Sequence, residues 1–120
     1  PGTTVEEAVA FVEGREYIPL ETGIKQKKKD ITAGYDYSFC NKRIEKLLDI
    51  IVDGILDYIS NKTTTAILRA QLRRQIIESN SESERQKLRK EYAKYCDDII
   101  KSFYEAGNTV QKLDHLLMMR

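Results

Sequence analysis

The chain is poor in the residues that build reactive centres. Of its 120 residues, one is histidine (His115) and two are cysteine (Cys40 and Cys96). His115 has only Asp114 beside it, and the cysteines are far apart with no C-x-x-C partner, so no zinc or haem site is expected. Two cysteines do not make a disulfide framework. Cys96 lies on an apolar helical face, where a thiol packs as a small hydrophobe. A Cys96–His115 nucleophile and base is arithmetically possible, but the thiol reads as buried. There is no glycine-rich phosphate loop and no internal repeat. No segment reads as a strand. No cofactor is expected.

Long apolar runs are missing too. None approaches the roughly 18 residues that a transmembrane helix needs, and no signal-peptide pattern is present. No membrane partner is therefore expected, and reduced cysteines point to an intracellular setting (cytoplasm or nucleus) rather than secretion. The formal charge of +1 is too small to announce a nucleic-acid or membrane protein by bulk electrostatics. The chain begins Pro1-Gly2 and ends on Arg120 within an apolar pattern, which reads as a piece of a longer protein.

What is present is helical periodicity. Hydrophobic residues make up 41% and charged residues 32%, a globular balance. Residues 39–60 form the longest and most apolar periodic run. On a helical wheel Ile44, Leu47, Leu48, Ile51, Val52, Ile55, Tyr58 and Ile59 fall on one arc. Lys42, Glu45, Lys46, Asp49, Asp53 and Asp57 fall opposite. The arc covers about half the circumference, wider than the ~100° stripe of a surface helix, so two packing partners are expected. Gly54 sits at its edge and costs about 1 kcal/mol against Ala. Either a neighbouring backbone comes close there or the cost is tolerated.

Thr4-x-x-Glu7 is a capping box that opens a short helix over residues 5–13, with Val5, Ala8, Val9 and Val12 on one face. Residues 15–37 are irregular, punctuated by Pro19, Gly23 and Gly34. Asp36 or Ser38 is expected to cap the central helix. A third helix over about 64–79 has Leu68, Leu72 and Ile76 in one row, Arg69 and Arg73 beside it, and Ile67 with Arg74 on the far side. Ser81-x-x-Glu84 opens a fourth helix over 82–106, stopped by Gly107. Asn108 or Thr109 starts a last one. The expected fold is all-α: an elongated antiparallel bundle of three main helices (39–60, 64–79, 82–106) with a short helix at each end. Residues 1–38 form a short helix and irregular arm packed on the bundle of 39–120.

Two functional readings follow. A non-enzymatic, oligomeric helical association domain is the first. A helix that is apolar on two sides, with arginines between, suits an interface, because arginine pairs through its flat fork while its stem packs. Candidate interface residues are Ile67, Arg69, Arg73 and Arg74, with Leu113, Leu116, Leu117 and Met118 as a second surface. The stripe Asp49–Asp53–Asp57 is read as solvated, with the alternative that it pairs with the arginines of this chain or of another copy. The second reading is a nucleic-acid-binding accessory protein of viral or mobile-element type. Residues 64–94 carry eight positive and four negative side chains. Its candidate phosphate contacts are Lys25, Lys27, Lys28, Lys29, Arg69, Arg73, Arg74, Arg85, Arg89 and Lys90. Against it, residues 1–38 carry five positive and seven negative side chains. A helical piece of a larger enzyme is a third reading, resting only on the chain ends.

Overall fold

A computed structural model describes residues 4–14, 37, 38, 40–59 and 62–120, with side chains described for all of these but residues 14 and 62–65. Five helices are present among them: α1 (Val5–Gly14), α2 (Lys42–Ile59), α3 (Lys62–Glu78), α4 (Glu82–Glu105) and α5 (Val110–Met118). The protein is an all-α helical bundle.

Local capping sets most helix starts. The N–H of Glu7 donates to Thr4 Oγ1 at 3.1 Å, and that of Glu84 donates to Ser81 Oγ at 3.1 Å. Thr109 caps α5 in the same way through Lys112. Each bond satisfies one of the amides that a helix start leaves without a partner. Gly107, with φ of 95°, takes the left-handed position after α4 that favours glycine. The start of α2 differs from expectation. Its cap is Asn41, whose Oδ1 accepts from the N–H of Ile44 at 2.9 Å, so the helix begins at Lys42. Ser38 lies in a turn before it, and Asp36 is outside the described residues. α3 begins at Lys62, two residues earlier than its periodicity indicates.

The core gathers around α2. Leu47, Leu48, Ile51, Val52, Ile55 and Leu56 are all buried, against Tyr92, Cys96, Ile100 and Phe103 of α4 and Leu113 and Leu117 of α5. Ala8 and Val12 of α1 join them. α2 packs against all four other helices rather than two, while α3 packs on α2 and α4, and α1 lies across α5 and α2. The shape corrects the expected elongation. α4 has 24 residues, about 36 Å of helix, yet the extents are 38 × 35 × 29 Å. α1 and α5 pack beside α2 and widen the molecule.

Gly54 explains how α5 reaches α2. A Cβ at this position would stand 2.8 Å from Leu117 Cδ2. The missing side chain is the space that the fully buried Leu117 occupies. The close neighbour is thus a side chain rather than a backbone.

Candidate functional site

α3 has two unlike faces. At 100° per residue, Arg69, Leu72, Arg73 and Ile76 point one way, and Ile67, Ala70, Arg74 and Ile77 point the other. The inner row lies on the outer stripe of α2, and the contact is built from charge. Arg69 is 7% exposed. Its Nη1 donates to Asp49 Oδ1 at 2.7 Å and to the carbonyl of Asp49 at 3.4 Å, and its Nη2 reaches Asp53 Oδ1 at 3.2 Å. Arg73 Nη1 donates to Asp49 Oδ2 at 3.0 Å. Its Nε stands 3.5 Å from Glu45 Oε2, a charge contact without hydrogen-bond geometry.

The seam continues at both ends. Glu45, 5% exposed, takes Arg89 Nε of α4 at 3.3 Å. The Tyr92 hydroxyl donates to Asp49 Oδ1 at 2.8 Å. Arg120 pairs with Asp53 and Asp57. Four carboxylates (Glu45, Asp49, Asp53, Asp57) therefore face four guanidiniums (Arg69, Arg73, Arg89, Arg120), and the seam is neutral. Burial works against the charge on Arg69, but the Asp49 and Asp53 carboxylates outweigh it, and its pKa is raised overall.

This arrangement corrects the solvated reading of the acidic stripe. Glu45 is buried and Asp49 and Asp53 are half-buried. It also gives the arginines a place: Arg69 and Arg73 are engaged by carboxylates of their own chain. Of the second proposed surface, Leu113 and Leu117 are core residues, Leu116 is half-buried, and Met118 is 69% exposed. Ile67 (57% exposed) and Arg74 do lie outside.

The proposed phosphate contacts fare unevenly. Lys25, Lys27, Lys28 and Lys29 lie outside the described residues. Arg85 pairs with Glu82 at 3.0 Å, and Arg89 with Glu45 and Glu82. Only Arg74 and Lys90 of this set make no ion pair among the described residues.

Ile77, 77% exposed, was not among the candidate residues. The signal was available: it lies within about 80° of Ile67 around the helix. Leu68, placed on the inner row by its spacing, is 42% exposed. Tyr58 and Ile59, at the end of the apolar arc of α2, are also about half exposed, with Lys112 of α5 over the Tyr58 ring at 4.5 Å. Conversely Asp97, between the exposed Lys94 and Asp98, is fully buried.

Little here can do covalent chemistry. Burial pushes the Cys40 thiol up to about 12, and burial raises Cys96 well above the ordinary thiol range. Both stay protonated and poorly nucleophilic. Among the described residues no group of three or more His, Cys, Asp and Glu is placed to hold a metal ion. An apolar recess of about 440 Å³ lies between α2 and α4, lined by Ile55, Ile59, Ile99 and Phe103 with Asp98 and Asn108. Its polar groups are occupied: Asn108 donates to the carbonyl of Phe103, and Asp98 pairs with Lys94. Among the described residues no helix is long and apolar enough to cross a membrane.

No protein-family model, curated protein or solved structure matches the chain.

Proposed function

We propose that the protein is a non-enzymatic helical association module that forms an oligomer through the outer face of α3. The observation that carries this reading is the pair of isoleucines on that face. Ile67 and Ile77 are 57% and 77% exposed on a helix whose inner side is already satisfied by α2 and α4. Isolated exposed apolar residues are ordinary. Two isoleucines about 15 Å apart on one side of one helix, with Ala70 between them, form a stripe that another helix can cover.

The charge seam supports the same reading. A helix with arginines at 69, 73 and 74 would repel a like helix if all three were free. Two are neutralised within the chain, which leaves Arg74 as the one arginine on the outer face. The nucleic-acid reading gains no comparable support, since four of its six helical cations are spent on carboxylates.

Light scattering across a concentration series tests the proposal. A dimer or larger species is expected at high concentration. The double variant Ile67→Glu/Ile77→Glu should be monomeric with an unchanged helical circular-dichroism spectrum, because neither side chain belongs to the core. A wild-type protein that stays monomeric at every concentration would contradict it. A salt titration with single- and double-stranded DNA and RNA checks the other reading: phosphate contacts would make log K fall steeply with log salt.

A further inference from the structure

We infer that the partner on α3 is a second copy of the same helix, docked antiparallel about a two-fold axis at residue 72; the inference rests on the association reading above. The outer stripe has the same spacing read in either direction about that residue. Ile67 and Ile77 stand five residues to either side of it, and Ala70 and Arg74 stand two to either side. A perpendicular two-fold axis at this level places Ile67 of one copy on Ile77 of the other, and Ala70 against Arg74. The small residue leaves room for the long stem, as in interdigitating helix packing.

The inner face fixes which side of α3 can meet the copy. At 100° per residue, the meridian that bisects both pairs is opposite Leu72. Leu72 is half-buried and packed against the core. The meridian therefore points away from α2 and α4, and a second copy centred on it meets neither. Parallel docking lacks this match: it sets Ile67 on Ile67 and Arg74 on Arg74, with like charges facing at the centre of the contact.

Charge agrees. Arg74 and Glu78 are both exposed, one turn apart and of opposite sign, so the outer face presents no net charge to its copy. Size sets the strength. Stable specific interfaces bury about 1,200–2,000 Å² in total. One helix pair of 17 residues each, meeting on one narrow stripe, is a small contact on that scale, so the dimer should be concentration-dependent and in rapid exchange.

Cysteine cross-linking separates the geometries. Ile67→Cys and Ile77→Cys are prepared singly, since both positions are exposed, and their folding is checked by circular dichroism. The native Cys40 and Cys96 are fully buried and stay out of the reaction. Under mild oxidation, antiparallel docking predicts little covalent dimer from either variant alone and at least a fivefold higher yield from the two mixed. Efficient dimerisation of Ile67→Cys alone, or no gain on mixing while light scattering shows a dimer, overturns the antiparallel arrangement and leaves the association reading standing. A strictly monomeric wild type overturns both.

Discussion

Asp97 shows how one residue can invert the expectation set by its neighbours. It sits among Lys94, Asp98 and Lys101, a run that reads as solvent-facing, yet it is fully buried. The Tyr37 hydroxyl donates to its Oδ2 at 2.7 Å, and Lys101 Nζ stands 3.2 Å from the same oxygen. Its Oδ1 has no donor. Tyr37 pays for this contact with a left-handed backbone, φ of 56°, a conformation that costs a non-glycine residue about 1 kcal/mol. Burial raises the Asp97 pKa, and the Tyr37 and Lys101 contacts only partly offset it. A folded-state pKa above the unfolded value favours folding most at acid pH, below the usual carboxyl range. That contribution is lost as pH rises through the folded-state value. The ionised form is therefore the costly one, and Asp97→Asn, which keeps an acceptor for Tyr37, should raise the melting temperature at pH 7. The gain should shrink as pH falls towards 4. A variant that melts lower at pH 7, by the same margin at every pH, would show that the Lys101 pair outweighs burial.

At the scale of elements, two contacts decide how the helices meet. Gly54 is the notch that admits Leu117. Alanine there gains about 1 kcal/mol of helix propensity, but its Cβ enters the space of a packed leucine, and overpacking costs about 1–3 kcal/mol. Gly54→Ala should be destabilising by about 1 kcal/mol in urea denaturation. With Leu117→Ala in the background the same change should become stabilising, a coupling that a double-mutant cycle reads directly. Equal effects in both backgrounds would mean that α5 does not rest on Gly54.

The charge seam makes a second, graded prediction. Arg69→Ala leaves the half-buried Asp49 and Asp53 without their main partner and should cost about 3 kcal/mol, as breaking buried pairs does. Arg120→Ala removes a pair whose three side chains are each about 30% exposed or more, and should cost under about 1 kcal/mol. Equal costs would place the seam in solvent. This is also where sequence reading runs out. A periodic acid stripe has one pattern whether it faces water or a row of guanidiniums. Only the register of α3 against α2, held by Ile76 in the core, tells them apart. The helices themselves were legible because their signals are local: capping boxes at Thr4 and Ser81, a glycine stop at Gly107, and strong 3.6-residue periodicity in α2 and α4. The burial of Leu56 and the exposure of Tyr58 and Ile59 depend on where α5 crosses, which the α2 sequence does not record.

For the whole molecule, the packing predicts a hierarchy of opening. α2 touches every other helix, so its amides should exchange only through global unfolding. α3 packs on α2 and α4 and, among the described residues, contributes one buried apolar side chain, Ile76, to the core. In native-state hydrogen exchange, α3 amides should open at a lower free energy and with a smaller denaturant dependence than those of α2. A single exchange class across both helices would show that α3 is not separable. The elongated bundle expected from helix lengths gave way to a nearly isometric one for a related reason. The short end helices are not appendages but the second layer over α2.

The neutral seam also sets how the molecule answers to heat. Apolar contacts carry a large positive heat-capacity change on opening, whereas exposing polar groups lowers it. Detaching α3 separates guanidinium from carboxylate as well as apolar groups, so the heat-capacity increment of that step is reduced and its free energy curves less with temperature than that of the apolar centre. On warming, the dehydration penalty of charged groups falls. The α2–α3 contact therefore gains on warming relative to the apolar centre, whose stabilisation per unit area levels off. α3, which opens more easily than α2 in the cold, becomes comparatively firmer near the melting point.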